Sequence, residues 1–221
     1  MKNKIAYIDE DKGWINTFYQ TFKHDFDVVK IEVSSDLSIE SIIDKLLNSQ
    51  VEAIVTDYLL EENGEVEFNG NKIVEEVRGW NPHFPIVMLT SHASQAISHT
   101  DDVHIIYSKD ILAAENEKER EELEIFKIKI KSNITYFKKK IHDTESRIDI
   151  LVQKRQESEL DIFEEEELSK LYIMLDEICP ENKSLPANLI SRPAIFKLNE
   201  FVNDTKEILE QLKKINGDKL K

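Results

Sequence analysis

Ala53-Ile54-Val55-Thr56-Asp57 is an apolar run that ends on a carboxylate. A short continuous run of this kind reads as a strand buried on both faces. Three other runs have the same form. Ile5-Ala6-Tyr7-Ile8 ends at Asp9-Glu10-Asp11, Ile86-Val87-Met88-Leu89 ends at Thr90, and Ile105-Ile106-Tyr107 is followed at one remove by Lys109. Acid pair, lone aspartate, hydroxyl and lysine therefore stand in that order, each at a strand end.

Strand-like runs at about 4–8, 27–33, 53–57, 86–90 and 103–108 alternate with helical patterns. The stretch 12–23 puts Ile15, Phe18, Tyr19 and Phe22 on one face. The stretch 39–48 does so with Ile39, Ile42, Ile43, Leu46 and Leu47, and 70–80 with Ile73, Val74 and Val77. This alternation predicts an α/β fold: a parallel sheet covered on both faces, with right-handed connections. In open sheets of this kind ligands bind beyond the carboxyl ends of the strands. Asp9, Asp57, Thr90 and Lys109 all fall there. Residues 61–69 form a long polar loop rich in Glu, with Asn-Gly pairs at 63–64 and 69–70.

The character of the chain changes near Ala113, where strand patterns stop and Gly and Pro nearly vanish. Leu123, Phe126, Ile130, Ile134, Phe137, Ile141, Thr144, Ile148 and Leu151 follow a near-heptad spacing. They predict one long helix over about 113–156. Leu160, Phe163, Leu168, Leu171, Leu175 and Ile178 predict another over about 159–178, ended by Pro180 and the stretch 181–186. Ser191 reads as an N-cap with Pro193 in the first turn of a last helix, about 192–215, that carries Phe201, Ile208, Leu212 and Ile215. The expected division is therefore an α/β domain over 1–115 and an all-α helical bundle or coiled-coil domain over 116–221.

The chain has 221 residues and a net charge of −15. Residues 1–112 hold 9 Lys/Arg against 20 Asp/Glu, and residues 113–221 hold 20 against 24. Neither half has the basic balance of a nucleic-acid binder, so a protein partner is expected. No apolar stretch approaches the length of a membrane span. The single Cys179 excludes an intramolecular disulfide framework and points to the cytoplasm. Six scattered histidines show no metal-ligand spacing; His92 reads as a loop residue near Thr90. Lys138-Lys139-Lys140 faces around the long helix and reads as a solvated face, with an anion-binding patch as the alternative.

An acyl phosphate on Asp57 needs a divalent cation to shield the carboxylate from incoming phosphoryl oxygens. Mg²⁺ suits this, as a hard ion that accepts carboxylates, waters and a phosphate oxygen. Asp9 and Glu10 would supply the cage with Asp57, Lys109 a cation, and Thr90 a hydroxyl hydrogen bond. Tyr7-Ile8-Asp9-Glu10-Asp11, Ile54-Val55-Thr56-Asp57, Met88-Leu89-Thr90-Ser91 and Tyr107-Ser108-Lys109 together resemble the receiver domain of bacterial two-component response regulators, over about residues 1–115. The resemblance implies a flavodoxin-like, doubly wound sheet of five parallel strands in the order 2-1-3-4-5. It implies that Asp57 accepts a phosphoryl group from a sensor histidine kinase or a phosphotransfer protein. Asp9, Glu10, Asp57 and the Leu59 carbonyl would bind Mg²⁺, and Thr90 and Lys109 would sense the phosphoryl group. Ser91 fits the small-residue position beside the site. On this reading the chain is no enzyme beyond the handling of its own aspartyl phosphate. Its helical half acts on an unidentified protein target or pairs with a second copy, without nucleic acid or membrane.

The chain departs from the family pattern in four places. Glu10 stands where Asp is usual, which leaves Asp11 as an alternative ligand. Asp110 follows the lysine in place of a proline, and a cis bond before a non-proline is costly. The loop after Asp57 is longer and lacks a proline. Ile106 occupies the usual aromatic position, and its neighbour Tyr107 should point to the opposite face. Two further readings remain open. One is a phosphate-independent adaptor that keeps the receiver fold as a docking surface. The other is a haloacid-dehalogenase-like phosphatase, whose Asp-x-Asp spacing Asp9 and Asp11 share but which leaves Asp57 idle.

Overall fold

The computed structural model describes residues 2–61 and 66–179. The predicted stop at Pro180, the cap at Ser191, the helix over 192–215 and the Asn-Gly pair at 63–64 lie outside the described residues. Strands β1 (Asn3–Asp9), β2 (Phe26–Glu32), β3 (Ala53–Thr56), β4 (Ile86–Thr90) and β5 (Ile106–Ser108) alternate with helices α1 (Lys12–Phe22), α2 (Ile39–Ser49), α3 (Gly70–Trp80) and α4 (Ala93–Ser98). Helices α5 (Glu117–Glu157) and α6 (Ile162–Ile178) follow. All strand pairs are parallel, in the order β2-β1-β3-β4-β5. This is the doubly wound sheet expected from the alternation of runs.

Side-chain parity sorts the sheet into two faces, as a period of two requires. Ala6, Ile8, Ile54, Ile86, Met88 and Ile106 point to one face and pack with Ile42 and Leu46 of α2, Ile73 and Val77 of α3, and Ala96 of α4. Ile5, Tyr7, Ala53, Val55, Val87, Leu89 and Tyr107 point to the other face, toward Ile15, Phe18 and Phe22 of α1 and Phe126, Ile130 and Ile134 of α5. Ile106 and Tyr107 therefore do face opposite sides. Stacked rings fill the second face: Tyr7 on Phe18 at 4.1 Å and Phe18 on Phe22 at 4.1 Å, with Phe126 edge-on to Phe22 at 6.1 Å. Such pairs add to their burial by about 0.5–1.5 kcal/mol each.

The chain divides into two compact units, Met1–Lys140 and Ile141–Lys221, with the division inside α5. In the first, Leu123, Phe126, Ile130 and Ile134 of α5 are buried in the core of the sheet. In the second, Ile148 and Leu151 of α5 are buried with Leu160 and with Leu168 of α6. Ion pairs Arg147–Glu167 at 2.7 Å and Arg155–Glu165 at 2.6 Å, together with Lys154–Glu164, converge on the intervening turn and mark the two helices as antiparallel. The near-heptad seam is thus buried by residues of the chain itself: sheet residues along its first part, α6 along its last. Among the described residues no helix is long and apolar enough to cross a membrane.

Local structure departs from the sequence expectation in several places. The long helix starts at Glu117 rather than near 113, because Asn116 caps it. Asn116 Oδ1 accepts the Glu119 N–H at 3.0 Å, while the Glu119 carboxylate accepts the N–H groups of Glu115 and Asn116. The run 103–108 is a strand only from Ile106. Asp102 accepts the His104 N–H at 3.1 Å and turns 103–105 into a single 3-10 turn. Helix α4 was not anticipated, since its Ala-Ser-Gln-Ala-Ile-Ser sequence buries only Ala96 and carries no apolar stripe.

Phe126→Ala should destabilise the first unit by about 3–5 kcal/mol, the range for truncating a buried ring. Ile128→Ala, on the exposed face of the same turn, should change stability by less than about 0.5 kcal/mol. Urea unfolding followed at Trp14 and Trp80 measures both.

Candidate functional site

Strand β1 lies between β2 and β3, so its carboxyl end is flanked on both sides. The Asp57 N–H donates to the Ile8 carbonyl at 2.9 Å, which extends the β1–β3 ladder one residue past β3. Asp57 continues the parity of Ala53 and Val55, and Asp9 that of Ile5 and Tyr7. The two carboxylates therefore emerge on the α1 side of neighbouring strands. Asp9 Oδ2 accepts the Tyr7 hydroxyl at 2.5 Å, and its Oδ1 accepts the Asp11 N–H at 3.0 Å. Asp11 itself is the N-cap of α1 and accepts the N–H groups of Gly13 and Trp14. It is engaged as a helix cap rather than as a member of the acidic cluster.

Lys109 comes from the other edge of the sheet. Ser108 Oγ accepts the Asp110 N–H at 3.2 Å and donates to Asp110 Oδ2 at 3.0 Å, capping a 3-10 turn over Lys109–Ala113. The Lys109–Asp110 bond is trans, so this capped turn stands in place of a proline. The Lys109 ammonium donates to Asp57 Oδ2 at 2.6 Å and lies 2.9 Å from Asp9 Oδ2. It also lies 5.3 Å from the centre of the Trp14 ring. The Tyr58 N–H donates to the other Asp57 oxygen at 2.6 Å. Thr90 Oγ1 accepts the His92 N–H at 3.1 Å, and the Thr90 side chain is one of the neighbours that draw the Asp57 carboxyl back down. Asp9, Asp57, Thr90 and Lys109 are all buried. Leu59 follows at half-buried depth with its side chain against the core.

Carboxylate oxygens of Asp9, Glu10 and Asp57 lie within 4.8 Å of one another. Glu10 thus joins the cluster despite its extra methylene. Three carboxylates against one ammonium leave a surplus of negative charge in a desolvated place. Burial, then the neighbouring carboxylates Asp9 and Asp57, push the Glu10 carboxyl up to about 7. Burial likewise raises Asp57, and Lys109 pulls it back only in part. Burial draws Lys109 down, but Asp57 and Asp9 outweigh it and hold the ammonium above the ordinary lysine range. Burial and the adjacent Asp9 push the Tyr7 phenol far up, so it stays a donor. Glu10 Oε2 is buried without a hydrogen-bond partner. An all-oxygen donor set with a surplus charge of two and an unsatisfied carboxylate oxygen fits a hard divalent cation such as Mg²⁺.

Two contacts near Asp57 were not legible as site features. The first is Gly70, at the start of α3. Its N–H donates to the Tyr58 carbonyl at 2.7 Å, and a Cβ there would lie 1.8 Å from the Asp57 carbonyl oxygen. The Asn69-Gly70 pair reads in sequence as a turn, and Asn69 does close the loop by accepting the Leu60 N–H at 3.0 Å. What sequence does not reveal is that α3 must start against the backbone of Asp57. The second is Tyr58, whose hydroxyl lies 3.2 Å from His99 Nδ1 at the end of α4. Helix α4 itself carried no sequence signal.

Several solved receiver domains resemble the α/β part. The receiver domain protein of Methanospirillum hungatei JF-1 is 15% identical and matches over 62% of this chain and 99% of its own, with a TM-score of 0.44. A response regulator receiver domain from Clostridium thermocellum is 19% identical over 62% of this chain and 97% of its own, with a TM-score of 0.42. The receiver domain of an HD domain-containing protein from Pseudomonas fluorescens Pf-5 is 12% identical over 61% and 91%, with a TM-score of 0.44. The C-terminal helical part is left unassigned. No protein-family profile and no curated protein matches the chain. The strand order and side chains of this chain, rather than those scores, carry the functional reading.

Gly70→Ala should destabilise the first unit by about 3 kcal/mol through overpacking against the Asp57 backbone, measured by urea unfolding. Mg²⁺ at a hundredfold excess over its Kd should stabilise the wild type by about 2.7 kcal/mol. Glu10→Asp should keep most of that gain and Glu10→Gln should lose most of it, read as the shift in unfolding midpoint on adding Mg²⁺.

Proposed function

We propose that residues 1–115 form a phosphate-accepting receiver and that Asp57 is its acceptor. One observation supports this above the others: a single buried ammonium, Lys109, bonds the carboxylates of both Asp57 and Asp9 beside Glu10. In the proposed reaction an Asp57 carboxylate oxygen forms the new bond to phosphorus. The bond from phosphorus to a histidine nitrogen of a sensor kinase or phosphotransfer protein breaks, and that nitrogen keeps the electron pair and takes up a proton. Asp9, Glu10, Asp57 and the Leu59 carbonyl would hold Mg²⁺, which would supply charge neutralisation of the phosphoryl oxygens. Lys109 then exchanges a carboxylate partner for a phosphoryl oxygen, and Thr90 offers its hydroxyl to the same group. Tyr58 holds the second carboxylate oxygen through its N–H and so fixes which oxygen attacks.

Residues 116–221 carry the output on this reading, by contact with a protein target or with a second copy of the chain, and no further enzyme activity is assigned. A dehalogenase-like phosphatase is disfavoured because Asp11 caps α1 while Asp57 lies among the acids. The adaptor reading, in which the fold serves only for docking, is favoured by Ile106, which packs an aliphatic side chain where the family carries an aromatic. Incubation with Mg²⁺ and acetyl phosphate, followed by intact mass, separates the two. A gain of one phosphoryl group that Asp57→Ala abolishes is the expected result. An unchanged mass in protein that still binds Mg²⁺ would leave the adaptor.

A further inference from the structure

We infer that the cavity at the amino-terminal edge of β4 and β5 binds a small aromatic anion. It lies at the opposite end of the strands from Asp57 and is independent of the phosphoryl reading. The cavity measures about 420 Å³, within the size range of small-molecule sites. Its floor is apolar and firm: Phe84, Ile86 and Ile105 are buried there, and Phe137 of α5 packs edge-on to Phe84 at 5.8 Å. Tyr107 and Tyr136 add ring faces at its side.

Charge selects the occupant. The chain is strongly acidic, yet this cavity is lined by Arg78, Lys129 and Lys140 against the single acid Asp102, which pairs with Arg78 at 3.7 Å. Neighbouring lysines on α5 are neutralised: Lys127 by Asp25 and Glu124, Lys131 by Asp25, Lys138 by Glu52. Lys129 has no carboxylate partner among the described residues, and its ammonium sits 5.1 Å from the centre of the Tyr107 ring. The tri-lysine run therefore serves three ends: Lys138 pairs with Glu52, Lys139 faces solvent, and Lys140 lines the cavity. A flat apolar body on the rings of Phe137 and Tyr107, with a carboxylate or phosphate against Lys129, satisfies both the floor and the rim.

The test uses 2-naphthoate, with 2-naphthol and acetate as its two halves, titrated into the full chain by calorimetry without Mg²⁺. One naphthoate should bind per chain, at least tenfold tighter than either half. Lys129→Glu should weaken binding at least tenfold, and Lys129→Gln by less. Lys139→Glu, on the solvent side of the helix, should leave it unchanged, as should Phe163→Ser, which removes the exposed ring of α6. All these side chains are exposed, so the variants should unfold at the wild-type urea midpoint. Absence of binding at millimolar naphthoate, or equal binding by wild type and Lys129→Glu, would overturn the inference.

Discussion

One buried ammonium makes this fold compatible with its site. Asp9 and Asp57 emerge side by side from two central strands, and neither has water to solvate its charge. Lys109 bonds both, at 2.9 and 2.6 Å. Breaking a buried pair by removing one partner leaves an uncompensated charge, which costs about 3–5 kcal/mol. The capped turn at Ser108 and the position of β5 beside β4 are the devices that deliver that ammonium. The acid that remains in excess, Glu10, is pushed by burial and its neighbouring carboxylates toward its protonated form, and its free oxygen is where a cation has most to gain.

The backbone around the site is as constrained as the charges. Asp57 is clamped from three sides: by the β1 ladder, by the Tyr58 N–H on its carboxylate, and by Gly70 pressed against its carbonyl. On the proposed function, an Asp57 oxygen held in this way would need little reorganisation before attack, which is the main contribution a protein makes to phosphoryl transfer. The Tyr58–His99 contact ties the residue after Asp57 to the end of α4.

Much of this was legible in the chain. Apolar runs with fixed ends located β1, β3 and β4, because a strand covered on both faces has no choice but to be apolar throughout, whereas the edge strands β2 and β5 are only partly covered. Parity placed Ile106 and Tyr107 on opposite faces. Asp9, Asp57, Thr90 and Lys109 were findable because strand ends collect at one edge of a parallel sheet. Other features were not legible for equally physical reasons. Helix α4 buries one alanine, so no stripe announces it. Gly70 matters through a backbone contact that exists only after α3 docks. The start of α5 was marked by an Asn116-x-x-Glu119 capping pair, which an apolar seam read on its own overlooks. That seam also reads as a single stripe, yet it is buried first by sheet residues and then by α6, and spacing alone does not distinguish the two coverings.

The central claim is that Lys109 is the counter-charge on which the acidic cluster depends. A double-mutant cycle of Lys109→Met and Asp57→Asn, measured by urea unfolding without Mg²⁺, tests it most directly. The account predicts that Lys109→Met alone costs about 3–5 kcal/mol. Adding Asp57→Asn should recover at least about 1 kcal/mol of that loss, the mark of two groups that act as a pair. Additive effects, or a Lys109→Met variant as stable as the wild type, would contradict it.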